Sequence, residues 1–138
     1  MSVSPPISNR DSWAYVLRTF DERPDDAYWN RWRSVMPPLI HQAIRSGYNE
    51  LFLAGAAMHH VLFSTMDHYG LRQEPRVTVE VTEDWQIQIH YSTTNVEFDP
   101  SIQSCKVSTE EAFWVLTFYL RRLWTDTRAE PLPEALAK

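Results

Sequence analysis

The residues that could do chemistry gather in one short stretch. His59-His60, Ser64, Asp67 and His68 place imidazole, hydroxyl and carboxylate close together along the chain. Such a set could serve hydrolysis, with Ser64 as nucleophile, His60 as base and Asp67 or His68 behind it. On a helix, His60 and Ser64 are i and i+4 neighbours and can touch. On a strand they share a face but lie about 13 Å apart. No Gly-x-Ser-x-Gly turn surrounds Ser64, and triads normally draw their members from separate elements beside an oxyanion hole. The structural reading, one buried and one solvent-facing histidine, outweighs the catalytic one. It also outweighs a metal site. Neighbours on a strand point to opposite faces, and on a helix they are about 100° apart, so His59 and His60 do not readily serve one ion. No metal ligand and no cofactor is assigned.

The remaining reactive groups carry less. Cys105 is the one cysteine, so an internal disulfide is impossible and a reducing, cytoplasmic setting fits. The pairs Asp25-Asp26, Glu83-Asp84 and Glu110-Glu111 each sit where a turn or helix start favours an acid. Gly47, Gly55 and Gly70 are too dispersed for a phosphate-cradling loop or a dinucleotide fingerprint. The net charge of −5 and the single adjacent basic pair, Arg121-Arg122, argue against nucleic acid as a partner. No segment approaches the ~20 apolar residues of a membrane span, and MSVSPPISNR lacks the apolar core of a signal peptide. Six Trp, six Tyr and six Phe in 138 residues exceed what one small core ordinarily needs, and aromatics are favoured at interfaces.

The elements that must position these residues begin with two amphipathic stretches. Asp11-Ser12 can cap a helix presenting Trp13, Val16, Leu17 and Phe20. Asp25 can cap a second, with Tyr28, Trp29, Trp32, Val35 and Met36 as its apolar positions. Pro37-Pro38 should break or kink it before it restarts and stops at Gly47. The most apolar run follows, Tyr48–Tyr69, and reads as two strands hinged at Gly55. Val77, Val79 and Val81, then Trp85, Ile87, Ile89 and Tyr91, alternate with polar residues and form the clearest hairpin. A three-residue loop pairs Val79 with Ile87; a five-residue loop, the second choice, pairs Val79 with Ile89. Ser108 and Glu111 match a capping box for a last helix with Phe113, Leu116, Leu120 and Leu123 inward.

The expected class is therefore α+β. An antiparallel sheet of about four strands (48–54, 58–65, 76–82, 85–92) carries N-terminal helices and a C-terminal helix, 109–124, on one face. The alternative makes 50–68 a central helix with a smaller sheet. Residues 1–138 should be a single globular domain, with 1–10 and 126–138 as loose tails.

If 58–65 is a strand, its outer face presents Met58, His60 and Leu62, with Leu51 nearby. An uncovered apolar patch of that kind suggests an interface, for a two-fold homodimer or another protein. The functional expectation is a small acidic cytoplasmic interaction module, adaptor-like or immunity-like, rather than an enzyme. It has no nucleic-acid partner and no membrane partner. The alternative is a small-molecule-binding protein or hydrolase-like enzyme with a pocket at His59, His60, Ser64, Asp67 and His68.

Overall fold

Strict alternation of β-branched and polar residues makes 76–92 a two-faced ribbon, and the rest of the molecule is built on its apolar side. The computed structural model describes residues 8–57, 60–65, 75–92, 103–128 and 130–137. Five antiparallel strands follow one another in chain order: β1 (Leu53–Ala57), β2 (His60–Ser64), β3 (Arg76–Val81), β4 (Ile87–Ser92) and β5 (Gln103–Val107). The α+β class thus holds, with five strands rather than four. The fifth strand, QSCKV, lacked the long alternation that marks β3 and β4.

The register explains the core. Val79 stands between Val61 on β2 and Ile89 on β4, and Val77 between Phe63 and Tyr91. All six side chains are buried. Burying one such aliphatic or aromatic side chain contributes about 1.5–3 kcal/mol, so this seam anchors the sheet. The β3–β4 turn takes the longer of the two expected loops, pairing Val81 with Ile87 and Val79 with Ile89. The Thr82 and Gln86 backbones still bond across it, Thr82 N–H donating to Gln86 O at 2.9 Å. The reason is Trp85, which adopts φ 64°. A left-handed residue closing a type I turn adds a bulge, and that moves Trp85 out of the paired face.

The first hairpin also shifts from its expected place. Tyr48–Glu50 is a 3-10 turn, and Gly55 is not the hinge but the middle of β1, opposite Leu62. Met58 and His59, between the two strands in sequence, lie outside the described residues. The strands displace the alternative of a central helix over 50–68.

Three helices cover the apolar face. α1 (Asn9–Asp21) is capped by Ser8, whose Oγ accepts from Asp11 N–H, one turn earlier than the Asp11-Ser12 expectation. That frees Ser12 to face the sheet. Its Oγ accepts the Ala54 N–H at 2.8 Å, while Trp13 Nε1–H donates to Phe52 O at 2.8 Å. The edge strand β1 is closed in this way by side chains of α1. α2 (Ala27–Arg45) is capped by Asp26 rather than Asp25 and runs through Pro37 and Pro38 without ending. Pro38 is exposed and Pro37 half-buried, and the buried row Trp32, Met36, Leu39, Ile40, Ala43 spans the interruption. Gly47, at φ 87°, ends it as expected.

α3 (Ala112–Thr127) starts three residues later than the capping box implies. Ser108 accepts the Glu111 N–H through its backbone carbonyl, in a turn that precedes the helix, and no side chain caps the first turn. The segment 126–138, expected as a loose tail, docks over 130–137. Leu136 on the short α4 (Glu134–Ala137) is fully buried, and Trp124 Nε1–H donates to Pro131 O.

Candidate functional site

The outer face of the sheet follows from the same register. Leu53, Gly55, His60, Leu62 and Ser64 share it with Thr78, Glu80, Gln88, His90, Ser104 and Lys106. Its polar centre is a carboxylate between two imidazoles: His60 Nε2 lies 3.0 Å from Glu80 Oε2, and His90 Nε2 lies 3.3 Å from Glu80 Oε1. Hydrogen bonds from His60 first and His90 second hold the Glu80 carboxyl down at about 2, against the opposing effect of burial. The cluster ties β2, β3 and β4 together across their open side. Sequence reasoning singled out His60 but missed Glu80 and His90. The polar alternation of β3 and β4 was visible, whereas the register that brings both to His60 was not.

The expected site residues do not assemble into a triad among the described residues. His60 is committed to Glu80. Ser64 is on the same strand and face, four residues on, and 1% exposed. His59, Asp67, His68 and Met58 lie outside the described residues. Of the expected interface set, Leu62 keeps 8% of its surface, and Leu51 precedes β1 and packs against the core. Among the described residues no group of three or more His, Cys, Asp and Glu is placed to hold a metal ion, and no helix is long and apolar enough to cross a membrane.

The opposite side of the molecule carries a different surface. Where α2 and α3 meet, two hollows lie along one seam. One, of about 470 Å³, is lined by Val35, Leu39 and Gln42 of α2, Trp85 and Ile87 of the β3–β4 hairpin, and Glu110 and Ala112 at the start of α3. The other, of about 570 Å³, continues from Arg45 and Tyr48 to Phe113, Trp114 and Thr117 and is bounded by α4. Its floor is set by Tyr48, which stacks on Phe113 at 5.7 Å and shares a 2.9 Å hydrogen bond with Thr117. Each hollow has an exposed tryptophan on its wall, Trp85 at 52% and Trp114 at 69%. Phe118, one turn beyond Trp114, is exposed as well.

A third hollow, between α1 and α2, differs in kind. Its Arg33 is fully occupied in holding the α1–α2 turn, donating to Phe20 O, Arg23 O, Pro24 O and Asn30 Oδ1. Behind the sheet, Tyr91 donates its hydroxyl to Asp126, and burial with that carboxylate raises the phenol well above its ordinary range. This bond fastens α3 to β4 and leaves no reactive group open.

The aromatic surplus in the composition pointed toward the seam, but spacing alone could not separate Trp85 and Trp114 from core residues. With this geometry in view, comparison with known proteins adds no relative: no family model, no curated protein and no solved structure matches the chain.

Proposed function

We propose that this protein is a non-catalytic, cytoplasmic protein-binding module, adaptor-like or immunity-like, whose docking surface is the α2–α3 seam. The observation that carries the reading is the pair Trp85 and Trp114, both open to solvent on the walls of adjacent hollows. Exposed tryptophans are the residues most often found as anchors of protein interfaces. Trp85 adds a second reason. It is the one non-glycine described residue at positive φ, in a turn position where Gly or Asn would sit without strain. Local strain at an exposed aromatic is what a functional site retains.

The outer sheet face supports docking less well. Leu53 is 2% exposed and Leu62 8%, so its apolar members among the described residues offer little contact area. The alternative of an enzyme at His60 and Ser64 has no observation in its favour beyond residue type.

A photo-crosslinking residue placed at Gln42, between the two hollows, tests the reading in cells. The expected result is one discrete crosslinked partner, lost when Trp85→Ala and Trp114→Ala are combined. A crosslink pattern unchanged by the double substitution, in a protein whose thermal midpoint is also unchanged, refutes it.

A further inference from the structure

The hollow beneath Trp85 is chemically one-sided. Its floor is apolar, formed by Val35, Leu39, Ile87 and Ala112. Among the described residues its only charge is Glu110, and no Lys, Arg or His lines it. Among the described residues Glu110 has no ion-pair or hydrogen-bond partner for its carboxylate. Asp84, next to Trp85, pairs with Lys106 at 2.7 Å, and the exposed neighbours Glu83 and Glu111 do not line the hollow. An acid just ahead of α3 also suits the helix dipole. What sets Glu110 apart is that it lines the same hollow as Trp85.

An indole, a free carboxylate and an aliphatic floor are the three features that hold a long basic side chain. The ring and carboxylate take the cationic head, and the floor takes the methylene stem. We infer that this hollow receives an arginine or lysine side chain of the partner polypeptide. The inference rests on the docking reading and adds to it the chemistry of the residue that enters. The net charge of −5 points the same way, because it draws a basic partner toward the molecule over distances of about a Debye length.

The test is an NMR titration of the full-length protein with three blocked amino acids: Nα-acetyl methylamides of arginine, lysine and leucine. The arginine or lysine probe should shift the Trp85 indole N–H and the Thr109 and Ala112 amides saturably. Glu110→Gln should weaken that binding about fivefold, while leaving the remaining amide signals in place. Raising the salt should weaken it further. If leucine shifts the same signals as strongly and Glu110→Gln changes nothing, the basic preference is overturned. The same holds if no probe reaches the Trp85 hollow. Failure of the docking reading is scored separately, by the crosslink at Gln42.

Discussion

At Trp85 the chain holds a large aromatic at φ 64° in an exposed turn, with 52% of its surface in water. A left-handed conformation costs a non-glycine residue about 1–2 kcal/mol. Trp85→Gly removes that strain but adds about 0.5–1 kcal/mol of freedom to the unfolded chain. The expected outcome is a urea midpoint unchanged or slightly raised, together with loss of the partner crosslink. A clear drop in stability would mean that the indole supports the fold instead. Glu80 makes the opposite case, a residue whose interactions are all internal. Its carboxyl sits at about 2 in the folded protein against an ordinary 4.5. The stabilisation it brings is therefore complete above about pH 4.5 and is lost as the pH falls from there through about 2. Because a third of the side chain is exposed, solvent screening reduces the contribution to the order of 1 kcal/mol. Glu80→Gln should lower stability by that amount at pH 7 and by much less near pH 2.5, read as the difference between two urea series. Neither residue's role was legible in the sequence. Trp85 sits in an alternating strand pattern, and only the five-residue loop, which turns it away from the paired face, shows it as a surface residue. Glu80 waits on a register between three strands.

Elements were more legible than their ends. The β3–β4 hairpin, the Gly47 stop and the inward rows of all three long helices follow from periodicity and turn chemistry, because each depends on near neighbours alone. The caps moved because several polar residues compete at each helix start. Ser8 took the place assigned to Asp11-Ser12, and Asp26 that of Asp25. A sequence shows which residues can cap, but the one that does is set by how the helix docks. At α1 the docking reason is visible. Ser12 is needed at the sheet edge, where its buried Oγ donates to Asn9 O at 2.6 Å and accepts the Ala54 N–H. Without the hydroxyl, that N–H has no partner in a buried setting. Ser12→Ala should cost about 1–3 kcal/mol in equilibrium unfolding, more than an ordinary hydroxyl loss. Hydrogen exchange should show the Ala54 amide as the one most accelerated. An unaffected Ala54 amide would mean that α1 does not close this edge.

For the whole molecule, the question is which side faces a partner. From sequence the outer sheet face looked open, because the count of helices left none to cover it. On that expectation Leu62→Asp is an interface-breaking change. In the folded chain Leu62 keeps 8% of its surface and stands opposite Gly55 and Thr78 in the middle of the sheet. Placing a carboxylate there removes apolar burial and forces a charge to be desolvated, a combination that costs several kcal/mol in a buried site. Trp114 is the counterpart on the other side. At 69% exposure it can be changed to Ser within about 0.5 kcal/mol. The two substitutions therefore separate the two surfaces. Leu62→Asp should unfold or strongly destabilise the chain, with any loss of association following from that. Trp114→Ser should leave the unfolding curve in place and lower association alone. The partner crosslink at Gln42 and urea unfolding on both variants decide it. A Leu62→Asp protein that stays folded but loses the partner crosslink would return the interface to the sheet face, and the α2–α3 seam would then be an ordinary surface with two exposed tryptophans.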